Sequence, residues 1–297
     1  MLNRRFTMQL TCQKHYLHSG DIKDRWKILN PFLGHLNSER IEYKIWSGES
    51  VSNPGTATFY LHGLGGCLDD CPGLEDSICP HTLMIRVSCF GISDPVRTIG
   101  LSTFGDICAI LHNSRQSIYT IADHLELGSY NIVAHSWGGF AACLAALNDP
   151  RCKKAMLLCS TPDICDALSQ MYEFARLPGL LHPVADILMG RLRIDAENAK
   201  YGRARHQKAW DQISPYGKVR NPGIKMLIFN RAEDLVMRRW NVEHFVNHAR
   251  QRGIKRVTAE FNDYPELSDW HDMPPEKFEG RMRDFLFGKA GVLMVLA

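Results

Sequence analysis

A serine hydroxyl is a poor nucleophile at neutral pH. It needs a base to take its proton, a third group to orient that base, and donors for the oxyanion that forms. The run Ala134-His135-Ser136-Trp137-Gly138-Gly139 offers such a serine. Ser136 follows the apolar run Tyr130–Ala134 and precedes a helical pattern that begins near Gly139. A strained turn from strand to helix exposes a hydroxyl at its apex, so Ser136 reads as a nucleophile. The neighbouring backbone comes close at such a turn, so small residues are needed two before and two after. Gly138 meets the second requirement. Ala134 stands at the first, where glycine is usual, and is the least disruptive replacement. A bare Gly-x-Ser-x-Gly pattern is common by chance, and a structural turn serine is the competing reading. The strand before and the helix after make the pattern more specific.

A second glycine-rich run, His62-Gly63-Leu64-Gly65-Gly66, follows the apolar run Thr58–Leu61. Glycines at a strand end let backbone N–H groups face an anion. The amides of Leu64 and Trp137 are the expected pair of oxyanion donors. Taken alone this run would be a plain turn, and its pairing with Ser136 gives it meaning. His62 reads as a structural hydrogen-bonding residue rather than a base. His244 and His248 stand four apart on a predicted helix, a spacing that could hold a metal, but no third ligand is evident. They read as exposed helix residues, and His112 and His135 have equally plain readings. No metal and no cofactor is expected.

The elements that must position these groups are legible as short apolar runs separated by helical patterns. The runs are Thr58–Leu61, Leu83–Val87, Tyr130–Ala134, Ala155–Cys159, Lys225–Phe229 and Val257–Phe261. Most lack polar/apolar alternation, which suits strands covered on both faces. Helices are expected over Ile107–Leu127, Phe140–Leu147 and Trp240–Arg252. Strand and helix in repetition predict an α/β fold with a mostly parallel central sheet flanked by helices. Ile41–Trp46 alternates instead and reads as an antiparallel edge strand. About sixty residues separate the strands ending near Ser160 and starting near Lys225, a connection long enough to be a functional insertion. It carries helical patterns over Ala167–Arg176, Pro183–Leu192 and Asp195–Gln212 and no strand signal. The expected organisation is a core of residues 1–160 and 223–297 with a helical cap at 161–222.

With these pieces in place the sequence resembles the α/β-hydrolase family over roughly residues 40–288. The segments HGLGG, CFGISD (Cys89 to Asp94), AHSWGG, NRAEDLV (Asn230 to Val236) and WHDMPPEKF (Trp270 to Phe278) occur in that family's order. The resemblance implies an acid after the strand that follows the cap and a histidine after the last strand. It assigns these roles to Asp234 and His271, with a C-terminal helix from about Pro275. Glu233 and Asp163 compete for the acid role, because some members carry the acid after the preceding strand. The resemblance also implies acyl transfer: Ser136 attacks, His271 takes the proton, and Asp234 holds the imidazole.

The cap's apolar residues, among them Met171, Phe174 and Trp210, favour an apolar acyl group over a sugar. A carboxylic ester or thioester of a small apolar acyl compound leads. Prolyl-aminopeptidase-like relatives share Ser-Trp-Gly-Gly but usually have a proline in the glycine loop, where Leu64 stands here. A carbon–carbon bond hydrolase fits the triad equally, and a cofactor-free haloperoxidase fits it less well. Epoxide hydrolases and dehalogenases of this fold use an aspartate at the elbow. A non-catalytic member that binds a small ligand in the old site is the alternative of another class.

The bulk properties agree with a soluble enzyme of this kind. The chain has 297 residues, 45% of them hydrophobic and 23% charged, with a formal net charge of +3. No block of like charge points to nucleic acid, and the pair Arg203 and Arg205 reads as a solvated helix face. The expected partner is a small-molecule substrate. Of ten cysteines, several sit in apolar runs and read as small buried hydrophobes. One disulfide among Cys67, Cys71 and Cys79 is conceivable, but reduced thiols are expected. The N-terminus lacks an apolar core of signal-peptide length. The apolar C-terminal run GVLMVLA is too short to span a bilayer, which takes ~20 residues. A cytoplasmic location is the expectation. Residues 1–35 carry no assignment.

Overall fold

A computed structural model describes residues 10–18, 40–48, 55–63, 66–88, 104–162, 214–215, 217, 219–234, 237–267 and 273–288. Eight strands form one sheet: β1 (Leu10–His18), β2 (Arg40–Gly48), β3 (Thr56–Leu61), β4 (Leu83–Val87), β5 (Ser129–His135), β6 (Cys152–Leu158), β7 (Lys225–Arg231) and β8 (Arg256–Asn262). Their order across the sheet is β1-β2-β4-β3-β5-β6-β7-β8. From β4 to β8 every neighbouring pair is parallel. β2 is antiparallel to β4, as its alternating sequence predicts, but it is not the edge strand: β1 pairs antiparallel with its outer side.

The non-alternating strands are buried on both faces. Leu61, Ala134, Leu157 and Ile228 form one registered row across β3, β5, β6 and β7. All four belong to the larger core cluster, with the helices α2 (Phe104–His124), α3 (Gly138–Asn148) and α4 (Arg239–Gln251). The alternate residues Tyr60, Val133, Met156 and Leu227 face the other side. There they pack with α1 (Leu74–Ile78) and α5 (Pro275–Phe287). Helices on both faces remove the solvated side that would impose alternation. Alanines 141, 142, 145 and 146 keep α3 thin, and it lies against β5 and β6.

Element ends differ from the sequence expectation for identifiable reasons. α2 stops at His124 rather than Leu127. The Leu127 amide bonds to Ala122 O at 2.9 Å and the Glu126 amide to Asp123 O at 3.3 Å, with Glu126 at φ 52. This is a left-handed helix stop with glutamate where glycine usually signals one. β6 ends at Leu158 because Cys159 turns into φ 43. β1 was not expected at all: most of its described side chains are exposed, so they carry no core pattern. α1 is only five residues long and has no readable period. The expected cap helices, spanning 167–212, lie outside the described residues.

At the N-terminal end of the sheet buried side chains tie the turns together. The side-chain Nδ2 of Asn221 donates to the carbonyls of Ala146, Asp149 and Cys152 at 2.8–2.9 Å. Asp149 accepts from Tyr130 Oη at 3.0 Å and from Arg151, which also reaches Asp123.

Candidate active site

The parallel strands deliver His62, Ser136, Ser160 and Asp234 to one edge of the sheet, where β3, β5, β6 and β7 end side by side. At ~4.8 Å per strand, that edge spans about 15 Å. In α/β sheets ligands bind in the crevice outside the carboxyl ends of the strands.

Ser136 sits between β5 and α3 with φ 48, in the left-handed region. A non-glycine residue there costs about 1–2 kcal/mol, so neighbouring structure must hold it. The Ser136 amide bonds to Leu158 O at 2.8 Å, the last rung between β5 and β6. Its carbonyl accepts from Gly139 N at 3.0 Å, which opens α3. Gly138 lies where a Cβ would stand 2.5 Å from His62 O and 2.8 Å from Leu61 O, so only glycine fits. The close backbone approach expected two residues after the serine is therefore present. Ala134 is fully buried in the core row. Trp137 is buried, its ring edge-on to Phe140 at 5.6 Å.

The glycine loop lies against this turn. A Cβ on Gly63 would stand 3.2 Å from Ser136 Cβ and from His135 Nδ1. His62 is buried, its Nδ1 2.8 Å from Gly63 O. Burial pushes its pKa below the usual imidazole value. Leu64 lies outside the described residues. Beyond the loop a buried arginine that the sequence reading missed takes hold. Arg86, on β4, donates to Asp70 O, to Cys71 O at 3.0 Å and to Leu68 O at 3.4 Å, and pairs with Glu75 at 2.5 Å. A cation inside the apolar run Leu83–Val87 was the available signal. Cys67, Cys71 and Cys79 are thiols, and Cys71 Sγ receives the Tyr60 hydroxyl at 3.0 Å. Burial lifts the Cys79 thiol to about 12, far from reactivity.

Burial separates the two adjacent acids after β7. Asp234 is only 3% exposed, and its Oδ1 accepts the Met237 amide at 2.7 Å. The Glu233 side chain is 54% exposed and pairs with Arg231 at 3.6 Å. Asp163 and His271 lie outside the described residues. Two residues beyond His271, Met273 is buried, and α5 begins at Pro275 as expected. A surface hollow of about 400 Å³ borders the acid loop, lined by Asp234, Glu233, Arg238 and Trp240 among others. His244 is exposed and His248 half-buried on α4. Among the described residues no group of three or more His, Cys, Asp or Glu is placed to hold a metal. No helix among them is long and apolar enough to cross a membrane.

The family model described as alpha/beta hydrolase fold matches residues 59–182. No curated protein sequence matches the chain. Among solved structures, a carboxyl esterase of the fungus Tuber melanosporum aligns with TM-score 0.56 at 14% identity, over 96% of this chain and 87% of that one. A hyperthermophilic esterase of the archaeon Pyrobaculum calidifontis aligns with TM-score 0.55 at 15% identity, over 92% and 84%. A serine hydrolase of the bacterium Cycloclasticus zankles gives 0.55 at 16%, over 95% and 100%. At such identities these likenesses establish the fold alone. The strand order, the helices on both faces and the family match over residues 59–182 agree, and the chain has the α/β-hydrolase fold.

Proposed function

We propose that this protein is a serine hydrolase that cleaves a carboxylic ester or thioester of a small apolar acyl compound. The observation that carries the reading is the backbone of Ser136. It is a non-glycine residue at φ 48 between a parallel strand and a helix, with Gly138 and Gly63 packed against the turn. Strain of this kind persists where surrounding structure imposes it, and it clusters at active sites. Ser136 Oγ attacks the acyl carbonyl while His271 takes its proton. The amides of Leu64 and Trp137 receive the oxyanion. Collapse of the tetrahedral intermediate expels the alcohol or thiol with the proton from His271. Water, deprotonated by His271, then attacks the acyl-enzyme and releases the acid. Asp234 holds the imidazole and stabilises its cation. Its burial beside exposed Glu233 favours it for that role. The insertion between β6 and β7 acts as a helical cap that sets the size of the acyl group, except for its last residues, 219–222, which return to the N-terminal end of the sheet.

A fluorophosphonate probe with peptide mapping tests the reading. One adduct is expected, on Ser136, and it is lost in His271→Ala. Labelling elsewhere overturns the assignment of Ser136, and the absence of labelling favours a non-catalytic ligand-binding role.

A further inference from the structure

The carbonyl of Ser136 and the N–H of Trp137 belong to one peptide unit. Among the described residues no peptide is cis, so the two groups point in opposite directions. Two donors hold the carbonyl. The Gly139 amide bonds to it at 3.0 Å, as any helix start would supply. The second is the hydroxyl of Ser160, from the end of β6, at 2.8 Å. Ser160 Oγ also lies 3.5 Å from Thr161 O, a marginal contact.

Ser160 is fully buried and is itself clamped. Its amide donates to Asn230 Oδ1 at 3.0 Å, and its carbonyl accepts from Asn230 Nδ2 at 3.0 Å. Asn230, on β7, is also fully buried. The clamp holds the chain where Cys159, at φ 43, leaves the sheet. Gly139 makes the room: a Cβ there would stand 2.0 Å from Ser160 Oγ. Asn230 Nδ2 also reaches Met237 O at 3.4 Å, and the Met237 amide bonds to Asp234. The ends of β5, β6 and β7 are thus joined through polar side chains.

We propose that Ser160, clamped by Asn230, is a positioning residue that aims and polarises the Trp137 amide as an oxyanion donor. The hydroxyl fixes the plane of the peptide from its carbonyl side. A carbonyl that accepts a hydrogen bond makes the N–H of its own peptide a stronger donor, by roughly 10–30% per bond. Oxyanion donors act on the transition state more than on the bound ester, so the effect belongs in kcat. The inference rests on the reading of Ser136 as nucleophile and the Trp137 amide as oxyanion donor.

The test is Ser160→Ala, assayed with p-nitrophenyl esters and normalised to sites labelled by fluorophosphonate. Loss of a full oxyanion donor costs about 10²–10³, so a misaimed one is expected to lower kcat about tenfold with KM within twofold. Inhibition by phenylboronic acid, which forms a tetrahedral adduct on the serine, weakens by the same factor. If Ser160→Ala folds too poorly to assay, Ser160→Cys keeps a weaker donor and gives a smaller loss of the same pattern. A lower melting temperature with kcat, KM and boronate affinity unchanged overturns the proposal and leaves the site reading intact. A wild-type protein that does not label Ser136 overturns both.

Discussion

At the N-terminal end of the parallel strands, one side-chain amide, that of Asn221, serves three buried carbonyls, and Asp149 is ringed by Tyr130 and Arg151. At the C-terminal end of the same strands, Ser136 and Cys159 both stand at positive φ, and buried polar side chains fill the space beyond them. Glu126, near the N-terminal end, also has a positive φ, but in the ordinary left-handed stop of a helix. The two ends therefore use similar components for different purposes. At one end hydrogen bonds close the turns that bring helices back to the sheet. At the other they hold a serine in a conformation that its own sequence does not favour.

Substitutions at the N-terminal end are expected to change stability and leave turnover alone. Asn221→Ala removes three hydrogen bonds to buried carbonyls, of which Asp149 O keeps the Cys152 amide at 3.0 Å, and is expected to cost about 2–4 kcal/mol of unfolding free energy. Denaturant unfolding measures that cost. Ester turnover per folded molecule is expected to match the parent, and a selective fall in kcat would break the division between the two ends. The smaller effect is at Glu126, which is exposed and at φ 52. Glu126→Gly relieves the left-handed strain and is expected to add about 0.5–1 kcal/mol with no change in activity. A loss of stability there would mean that the helix stop is not what sets that backbone.

Much of this division was legible in the sequence, because the core strands are written as apolar runs and the serine turn as a motif between two such runs. Each expected core strand lies on a strand of the sheet, within three residues at its ends, the largest difference being the start of β6 at Cys152 rather than Ala155. Gly138 was expected to face close backbone, and it faces the carbonyls of Leu61 and His62. What escaped notice was contact across strands. Arg86 stands inside an apolar run, and only the fold brings the carbonyls of Leu68, Asp70 and Cys71 around its guanidinium. Ser160 and Asn230 are seventy positions apart and carry no local pattern, so only the adjacency of β6 and β7 joins them. β1 was missed because an exposed edge strand needs no hydrophobic period. His271, Leu64 and Asp163 lie outside the described residues, so their roles rest on the sequence.

The central claim is that the left-handed backbone at Ser136 is held for the chemistry of its side chain. Ser136→Gly tests it most directly, because glycine keeps the turn, relieves the strain and removes the hydroxyl. The account predicts that ester turnover falls by about 10⁴-fold or more while unfolding free energy rises by about 1 kcal/mol. Turnover that survives the substitution would contradict it.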